Sequence, residues 1–280
     1  MTMWKQLDQA LREVAANGGT VPALEALQNP AAWMDRLKAA RPADAAGQDF
    51  ERSLLARAAI ASIPQIAALN LPEGVQQKLY QAWLSFSKPD PAFALEHPWF
   101  VHWAAVATLR RFPAGQLDYV VDGFPRSWIT RAPLQDWPGL ASALMRLGGF
   151  RPCYFTHVGL RRPSKYSLNE KEANRSYWLV AQALKNNPEV RGLVTASWFH
   201  ATETFRVSPH LAWFNETPRA GGAFFTTCGP ADLDSGVFER SPERKKLYEE
   251  GKFTPLTGVM IWPRRDLIAW ADRTPEAASS

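Results

Sequence analysis

Residues 195–210, TASWFHATETFRVSPH, form the densest group of polar and aromatic side chains in the chain. They follow an apolar run that is typical of a β-strand, and ligands of open α/β sheets bind at the carboxyl ends of strands. We therefore predict the reaction centre here. His200 is a candidate general base toward an amine or hydroxyl, and Ser197 is a second catalytic candidate. The predicted substrate pocket is formed by Trp198, Glu203, Arg206 and His210.

A second candidate base is His157, which lies in a strand-like run five residues before Arg162. A histidine at the end of a strand and close to two arginines could accept a proton from a substrate. For His157, a hydrogen-bonded histidine of the core is the structural alternative. Ser208 followed by Pro209 also fits a helix N-cap and first helical residue, which requires no chemistry.

Other catalytic arrangements lack the spacing that they need. A serine hydrolase would carry Gly-x-Ser-x-Gly, but Ala196 and Trp198 flank Ser197. Cys153 or Cys228 could act as a nucleophile, although no spacing pairs either one with a histidine. The five histidines form neither HExxH nor HxH, and no Cys-x-x-Cys occurs, so we predict no metal site.

Amphipathic helices are predicted for residues 1–115. Met3–Ala16 has apolar residues at helical spacing and ends at a Gly-rich stop. Proline near the first turn predicts short helices at 22–27 and 30–39. A long helix over 49–69 should kink at Pro64, and further helices are predicted over 72–86 and 91–110.

Strands and helices alternate in residues 116–280. Strands are predicted at 117–121, 152–160, 190–199, 222–228 and 256–262. Helices are predicted at 135–147, 168–186, 208–217, 241–250 and 263–272. This order favours an α+β fold in which the N-terminal helical region packs on a C-terminal mixed β-sheet covered by helices. Gly-Phe-Pro-Arg-Ser-Trp at 123–128 is predicted as a turn.

The composition excludes several classes of protein. With 46% hydrophobic and 12% aromatic residues, the chain is not disordered, and two cysteines are too few for a disulfide-stapled module. No run of apolar residues could span a membrane, and residues 1–20 lack the apolar segment of a signal peptide, so we expect a cytoplasmic protein. The net charge of +5 lacks the dense basic stripe of nucleic-acid binders, which favours a small anionic partner.

The twelve tryptophans support an alternative function. Chains rich in tryptophan often line an apolar pocket with some of them. The alternative is therefore a non-catalytic protein that binds an anionic apolar ligand in a Trp-lined pocket. An enzyme of unrelated chemistry, built around 195–210, is a third hypothesis.

Residues 241–253, SPERKKLYEEGKF, resemble the A-x-x-L-Y-E-x-x-G-F helix-to-strand turn of GNAT-type acyltransferases. The preceding strand, helix and strand, at 152–199, are also similar to the core of that family. The resemblance, which covers about 100 residues, implies a GNAT-like sheet and a coenzyme A thioester as the acyl donor. It also implies that Tyr248 protonates the departing thiolate, and that the donor pyrophosphate lies at the start of the helix at 168–186.

The phosphate loop departs from the family pattern. Residues 161–167, RRPSKYS, contain none of the glycines that the family places there. Arg161, Arg162 and Lys165 could bind the donor phosphates through their side chains instead, which would also suit an acyl carrier protein as donor. The resemblance thus implies transfer of an acyl group from a thioester to an amine of a small molecule, with His157 or His200 as the base.

Overall fold

The computed structural model describes residues 2–17, 27, 29–42, 48–158, 169–239 and 241–275. The chain divides after Ala114 into two compact units. Across the described residues there are twelve α-helices and six β-strands, so the fold is α+β with a mixed sheet.

The first unit is helical. Its elements are α1 (Thr2–Ala16), α2 (Pro30–Ala40), α3 (Asp49–Ser62), α4 (Glu73–Leu84), α5 (Phe100–Ala107) and the short strand β1 (Phe112–Ala114). The indole of Trp83 is fully buried and donates a hydrogen bond to the carbonyl of Val106 at 3.1 Å, which ties α4 to α5. Of the helix predicted at 22–27, only Leu27 lies within the described residues.

Prolines shape this unit. The helix predicted over 49–69 changes at Ile63 into a 3-10 segment, Ile63–Leu69, because Pro64 cannot donate the next α-helical hydrogen bond. The single helix predicted over 91–110 is wrong. A 3-10 turn, Pro91–Phe93, is separated from α5 by a loop that contains Pro98, in which the Nδ1 atom of His97 accepts a hydrogen bond from the amide of Trp99.

The second unit contains the alternation that the sequence predicts. Its strands are β2 (Leu117–Gly123), β3 (Pro152–Val158), β4 (Gly192–Ser197), β5 (Phe224–Pro230) and β6 (Leu256–Pro263). Its helices are α6 (Arg126–Arg131), α7 (Trp137–Leu147), α8 (Glu170–Asn186), α9 (Thr202–Val207), α10 (Trp213–Ala220), α11 (Pro242–Glu249) and α12 (Arg264–Arg273).

Three local predictions for this unit were wrong. A helix, α6, begins at Arg126 and occupies the second half of the stretch that was predicted as a turn, and α9 was not predicted. The helix predicted over 208–217 is a 3-10 turn, Pro209–Leu211, followed by α10. Ser208 does not cap that turn with its side chain, because its hydroxyl accepts a hydrogen bond from Arg244 instead.

The five strands of this unit are ordered β2-β3-β4-β6-β5. Strands β3 and β4 are parallel, and the other neighbouring pairs are antiparallel. Because β4 and β5 each run antiparallel to β6, the carboxyl ends of β3, β4 and β5 lie at one edge of the sheet. This edge is where an open sheet offers a ligand its site.

Both faces of the sheet are covered. One face packs against α7 through a cluster that includes Leu140, Leu147, Phe155, Val194 and Ile261. On the other face, Tyr177 of α8, Trp262 of β6 and Trp270 of α12 form aromatic contacts with ring centroids 5.2–6.5 Å apart. These two tryptophans therefore belong to the core of the second unit.

Candidate functional site

The two parallel strands separate at their carboxyl ends. The ladder between β3 and β4 pairs Tyr154 with Leu193 and Phe155 with Val194, and goes no further. At the next position the hydroxyl of Thr195 donates a hydrogen bond to the carbonyl of Thr156 at 3.0 Å. The contact between the two strands at this position is therefore made by a side chain and not by the backbone ladder, and we call the region between their carboxyl ends beyond it, in the residues that the structure describes, the crevice. His157 is the next-to-last residue of β3, and Ser197 is the last residue of β4.

An aromatic cluster, which we call the Trp198 cluster, lies where β4 ends. Its buried members are Trp198, Leu211, Phe214, Ala231, Val237 and Phe253, and Phe199, Phe205, Val207, Trp213, Phe238 and Leu247 pack against it. The ring of Phe199 lies between Trp198 and Phe214, with centroid distances of 3.9 and 4.9 Å. Trp198 is only 5% exposed, so these contacts account for it as a core side chain of the cluster.

Arg244 of α11 enters the Trp198 cluster. The residue is only 5% exposed, and its guanidinium carbon lies 4.8 Å from the centroid of the Trp198 ring. Its Nε atom donates to the carbonyl of Val237 at 2.8 Å, and Nη1 donates to the Ser208 hydroxyl at 2.9 Å. Burial lowers the pKa of Arg244 from its ordinary value, although an arginine stays protonated at neutral pH.

The sequence analysis did not single out Arg244, because the charge pattern alone does not distinguish a buried arginine from the lysines beside it. The helical spacing of residues in α11 could have indicated that Arg244 is buried. Ser241 caps α11 by accepting a hydrogen bond from the amide of Arg244, which sets the phase of the helix. Arg244 then shares a face with Leu247 and Tyr248, the apolar side of an otherwise charged helix.

Tyr248, the predicted leaving-group acid, lies one turn after Arg244 on the same face of α11. It is 38% exposed, and its ring centroid lies 5.2 Å from that of Phe238, which packs against the Trp198 cluster. The phenol is therefore next to the cluster and accessible to a substrate.

His200 is buried and held by Asn215. The Nδ1 atom of His200 and the Oδ1 atom of Asn215 are 2.7 Å apart, and the Nδ2 atom of Asn215 donates to the carbonyl of His200 at 3.0 Å. The second bond orients the amide, so Nδ1 carries the proton and donates. Burial lowers the pKa of His200 to about 4. The ring is thus neutral at pH 7. Its burial and its hydrogen bonds with Asn215 are those of a histidine with a structural role.

His157 is the more accessible of the two predicted bases. It is exposed and lies near the end of β3, where its partner in the antiparallel ladder with β2 is Asp118. Side chains alternate along a strand, so His157 projects to the same face as Phe155. The imidazole therefore lies on one side of the crevice entrance.

The remaining predicted residues of 195–210 differ in exposure. Ser197 is half-buried, and its hydroxyl accepts a hydrogen bond from the amide of Phe199 at 3.4 Å, as a cap of the following 3-10 turn. Arg206 and His210 are exposed. Glu203 is half-buried, and its Oε2 atom is buried without a hydrogen-bond partner in the part of the chain that the structure describes.

The predicted phosphate-binding residues Arg161, Arg162 and Lys165 lie outside the described residues. The helix that follows them, α8, begins with Asn169 as its N-cap, and the Asn169 side chain accepts a hydrogen bond from the amide of Glu172 at 2.9 Å. Two carboxylates, of Glu170 and Glu172, lie in the first turn. An anion at this terminus would therefore need cationic side chains close by.

Both cysteine thiols are buried. Burial raises the pKa of Cys153 to about 12, and it raises the pKa of Cys228 although the nearby Arg131 acts in the opposite direction. Over the described ranges, no three His, Cys, Asp or Glu residues lie where they could hold a metal ion. Within the same ranges, no helix has the length and apolar character that crossing a bilayer requires.

Comparison with known proteins adds no relative: no model of a protein family, no curated protein and no solved structure matches this chain.

Proposed function

We propose that the protein transfers an acyl group from a thioester donor to an amine of a small molecule. The observation that carries this proposal is the end of the ladder between the parallel strands β3 and β4 after the Phe155–Val194 pair. A crevice between parallel strands at the carboxyl edge of a sheet can admit an extended ligand to backbone groups. The helix α8 follows the first of these strands, as the resemblance to GNAT-type acyltransferases requires.

Other features support a GNAT-like arrangement. Helix α11 precedes strand β6, in agreement with the motif on which the resemblance was based. Tyr248 projects from the face of α11 that contacts the Trp198 cluster. Trp198, a member of this cluster, directly follows β4. This supports a position of Tyr248 at the same edge of the sheet as the crevice.

Two residues transfer protons in the proposed reaction. The amine nitrogen attacks the thioester carbonyl carbon while His157 accepts the proton that the nitrogen loses. The carbon–sulfur bond then breaks, and the departing sulfur takes a proton from the Tyr248 hydroxyl. We assign the base to His157 because the His200 imidazole is buried and its Nδ1–H is engaged by Asn215.

The acceptor amine would be held by Glu203. Its Oε2 atom is a buried carboxylate oxygen without a hydrogen-bond partner among the described residues, and an ammonium or amine N–H would satisfy it. Glu203→Gln should therefore raise KM for the amine by roughly tenfold and leave KM for the donor unchanged. An equal effect on both constants would exclude this role.

Binding of coenzyme A and acetyl-coenzyme A, measured by calorimetry, tests the donor. The wild-type protein should bind with micromolar affinity, and the double variant Arg161→Ala/Arg162→Ala should lose at least about tenfold. Lys245→Ala/Lys246→Ala is the matched control, since both lysines are exposed on α11. Absence of binding to either compound would leave only a carrier-protein donor for acyl transfer.

The acid is tested by Tyr248→Phe. Removing the hydroxyl should lower kcat about 10- to 100-fold with little change in KM, because the phenol acts only as the leaving group departs. The ring and its contact with Phe238 remain, so the thermal stability should be unchanged. Wild-type turnover in this variant would remove Tyr248 from the mechanism, and no product with any thioester would favour a binding protein.

A further inference from the structure

Arg244 is a buried cation without an anionic partner. Among the described lysines and arginines, it is the one that the fold buries. Exposed or half-buried arginines such as Arg12, Arg52 and Arg146 have a carboxylate within 3.1 Å. No carboxylate of the described residues lies within 4.0 Å of Arg244, whose partners are a carbonyl, a hydroxyl and an aromatic face.

The guanidinium also has donors to spare. Its two hydrogen bonds use the Nε and Nη1 atoms, and Nη2 donates to no group in the described part of the chain. A charge removed from water is stable only when its donors are satisfied and its charge is balanced. The hydrogen bonds that Arg244 donates to Ser208 and Val237 fix the orientation of the planar group, so Nη2 is held in place for a partner.

The surroundings specify the chemical class of that partner. A guanidinium edge pairs best with a carboxylate, because two parallel N–H groups match two oxygens. The side chains around it, those of the Trp198 cluster, are aromatic and aliphatic. A ligand that carries a carboxylate on an apolar or aromatic body would satisfy both the cation and the apolar surface.

We propose that Arg244 binds the carboxylate of a small aromatic acid, whose ring lies against the Trp198 cluster. The site is independent of the proposed acyl transfer, since it requires neither a thioester nor His157. Ser208 acts as a positioning residue, because its hydroxyl holds Nη1 of Arg244 and does not touch the ligand.

Calorimetry on the wild-type protein provides the first test and needs no variant. The probes are phenylacetate, 3-phenylpropionate and indole-3-acetate, each compared with its neutral amide. At least one acid should bind, and it should bind about tenfold or more tightly than its amide, which keeps the shape and loses the charge. Failure of all three acids to bind at millimolar concentration, or equal affinity for acid and amide, would overturn the proposal.

A pair of variants then locates the site. Arg244→Gln should weaken binding of the acid at least about tenfold and reduce the preference for the acid over its amide to near unity. Lys245→Gln is the matched control, because it removes the same charge one residue further along the helix from an exposed position. Wild-type binding by a folded Arg244→Gln would overturn the assignment.

The buried position makes a folding defect in Arg244→Gln a foreseeable outcome, so a milder variant accompanies it. Ser208→Ala keeps the charge of Arg244 and frees only Nη1. It should weaken binding of the acid two- to fivefold, by loss of orientation, without changing the affinity for the amide. An equal loss for acid and amide would show a general packing defect and would contradict the positioning role.

Discussion

The strongest quantitative prediction concerns the pH dependence of folding stability that His200 introduces. In the folded protein, burial lowers the pKa of this imidazole to about 4, from an ordinary value of 6.5. At pH values between these two pKa values, His200 binds a proton in the unfolded chain and does not bind one in the folded protein. Stability contributed by the neutral ring is therefore present above pH 6.5 and is lost as the pH falls toward 4.

The size of the effect follows from the two pKa values. At pH 7 the ring is mostly neutral in both states, so the linkage is small. At pH 5 the ring is almost fully protonated in the unfolded chain and almost fully neutral in the folded protein. The free energy of unfolding should fall by about 2 kcal/mol between pH 7 and pH 5 from this residue alone.

The assay compares urea unfolding of the wild-type protein at the two pH values with that of His200→Gln. The variant loses the titrating group, so its stability should change by about 2 kcal/mol less over the same range, even if it is less stable throughout. His210→Gln is the matched control, because it makes the same substitution at an exposed histidine.

The reasoning would be refuted if the wild-type protein and His200→Gln had the same pH dependence. A titration of the histidine ring protons by NMR gives an independent check that requires no variant. A midpoint for His200 near 6.5 would show that the ring is solvated and that its contact with Asn215 does not exclude water. A midpoint near 4 would agree with the buried pair.

Two further predictions concern the packing of the second unit. Gly258→Ala should destabilise the protein by roughly 1–3 kcal/mol in urea unfolding, because a Cβ there would clash with backbone atoms of His200 and Ala201. Gly123→Ala, where a Cβ meets nothing within 4 Å, should be close to neutral, and an equal loss in both would contradict the close approach. The Cys153 thiol should react with a disulfide reagent at pH 8 at least about a hundredfold more slowly in the native protein than in urea, because burial keeps it protonated; fast native labelling of this thiol would contradict its burial.

Local sequence patterns predicted most of the helices and strands, and the reason is physical. Apolar residues at a period of 3.6 or 2 create a face that must be buried, and the pattern of α8 or of β6 is visible without any other part of the chain. Proline and glycine gave further information, as at Pro64, where the α-helix ends, and at Gly148, which ends α7 with a φ of 74°. The short helices α6 and α9 were missed because six residues carry too little periodicity to be recognised.

The sequence alone determined the residue types that are available for chemistry and the order of the elements that carry them. His157 and His200 could be named as candidates because histidine is a common general base, and Tyr248 could be named from the resemblance of residues 241–253 to the GNAT motif. Their different environments depended on tertiary contacts. Asn215, fifteen residues away in sequence, encloses His200, while the side chain of Tyr248 remains accessible.

Only the tertiary structure decided that Arg244 has no carboxylate partner among the described residues, because its burial depends on contacts between elements distant in sequence. Arg244 has the same local neighbours as the exposed lysines beside it, yet the phase of α11 directs it into the Trp198 cluster. The separation of β3 from β4 likewise depends on strand order, which no single stretch of sequence encodes. For these reasons the sequence pointed to the region of the site, and the fold determined which of its residues can meet a ligand.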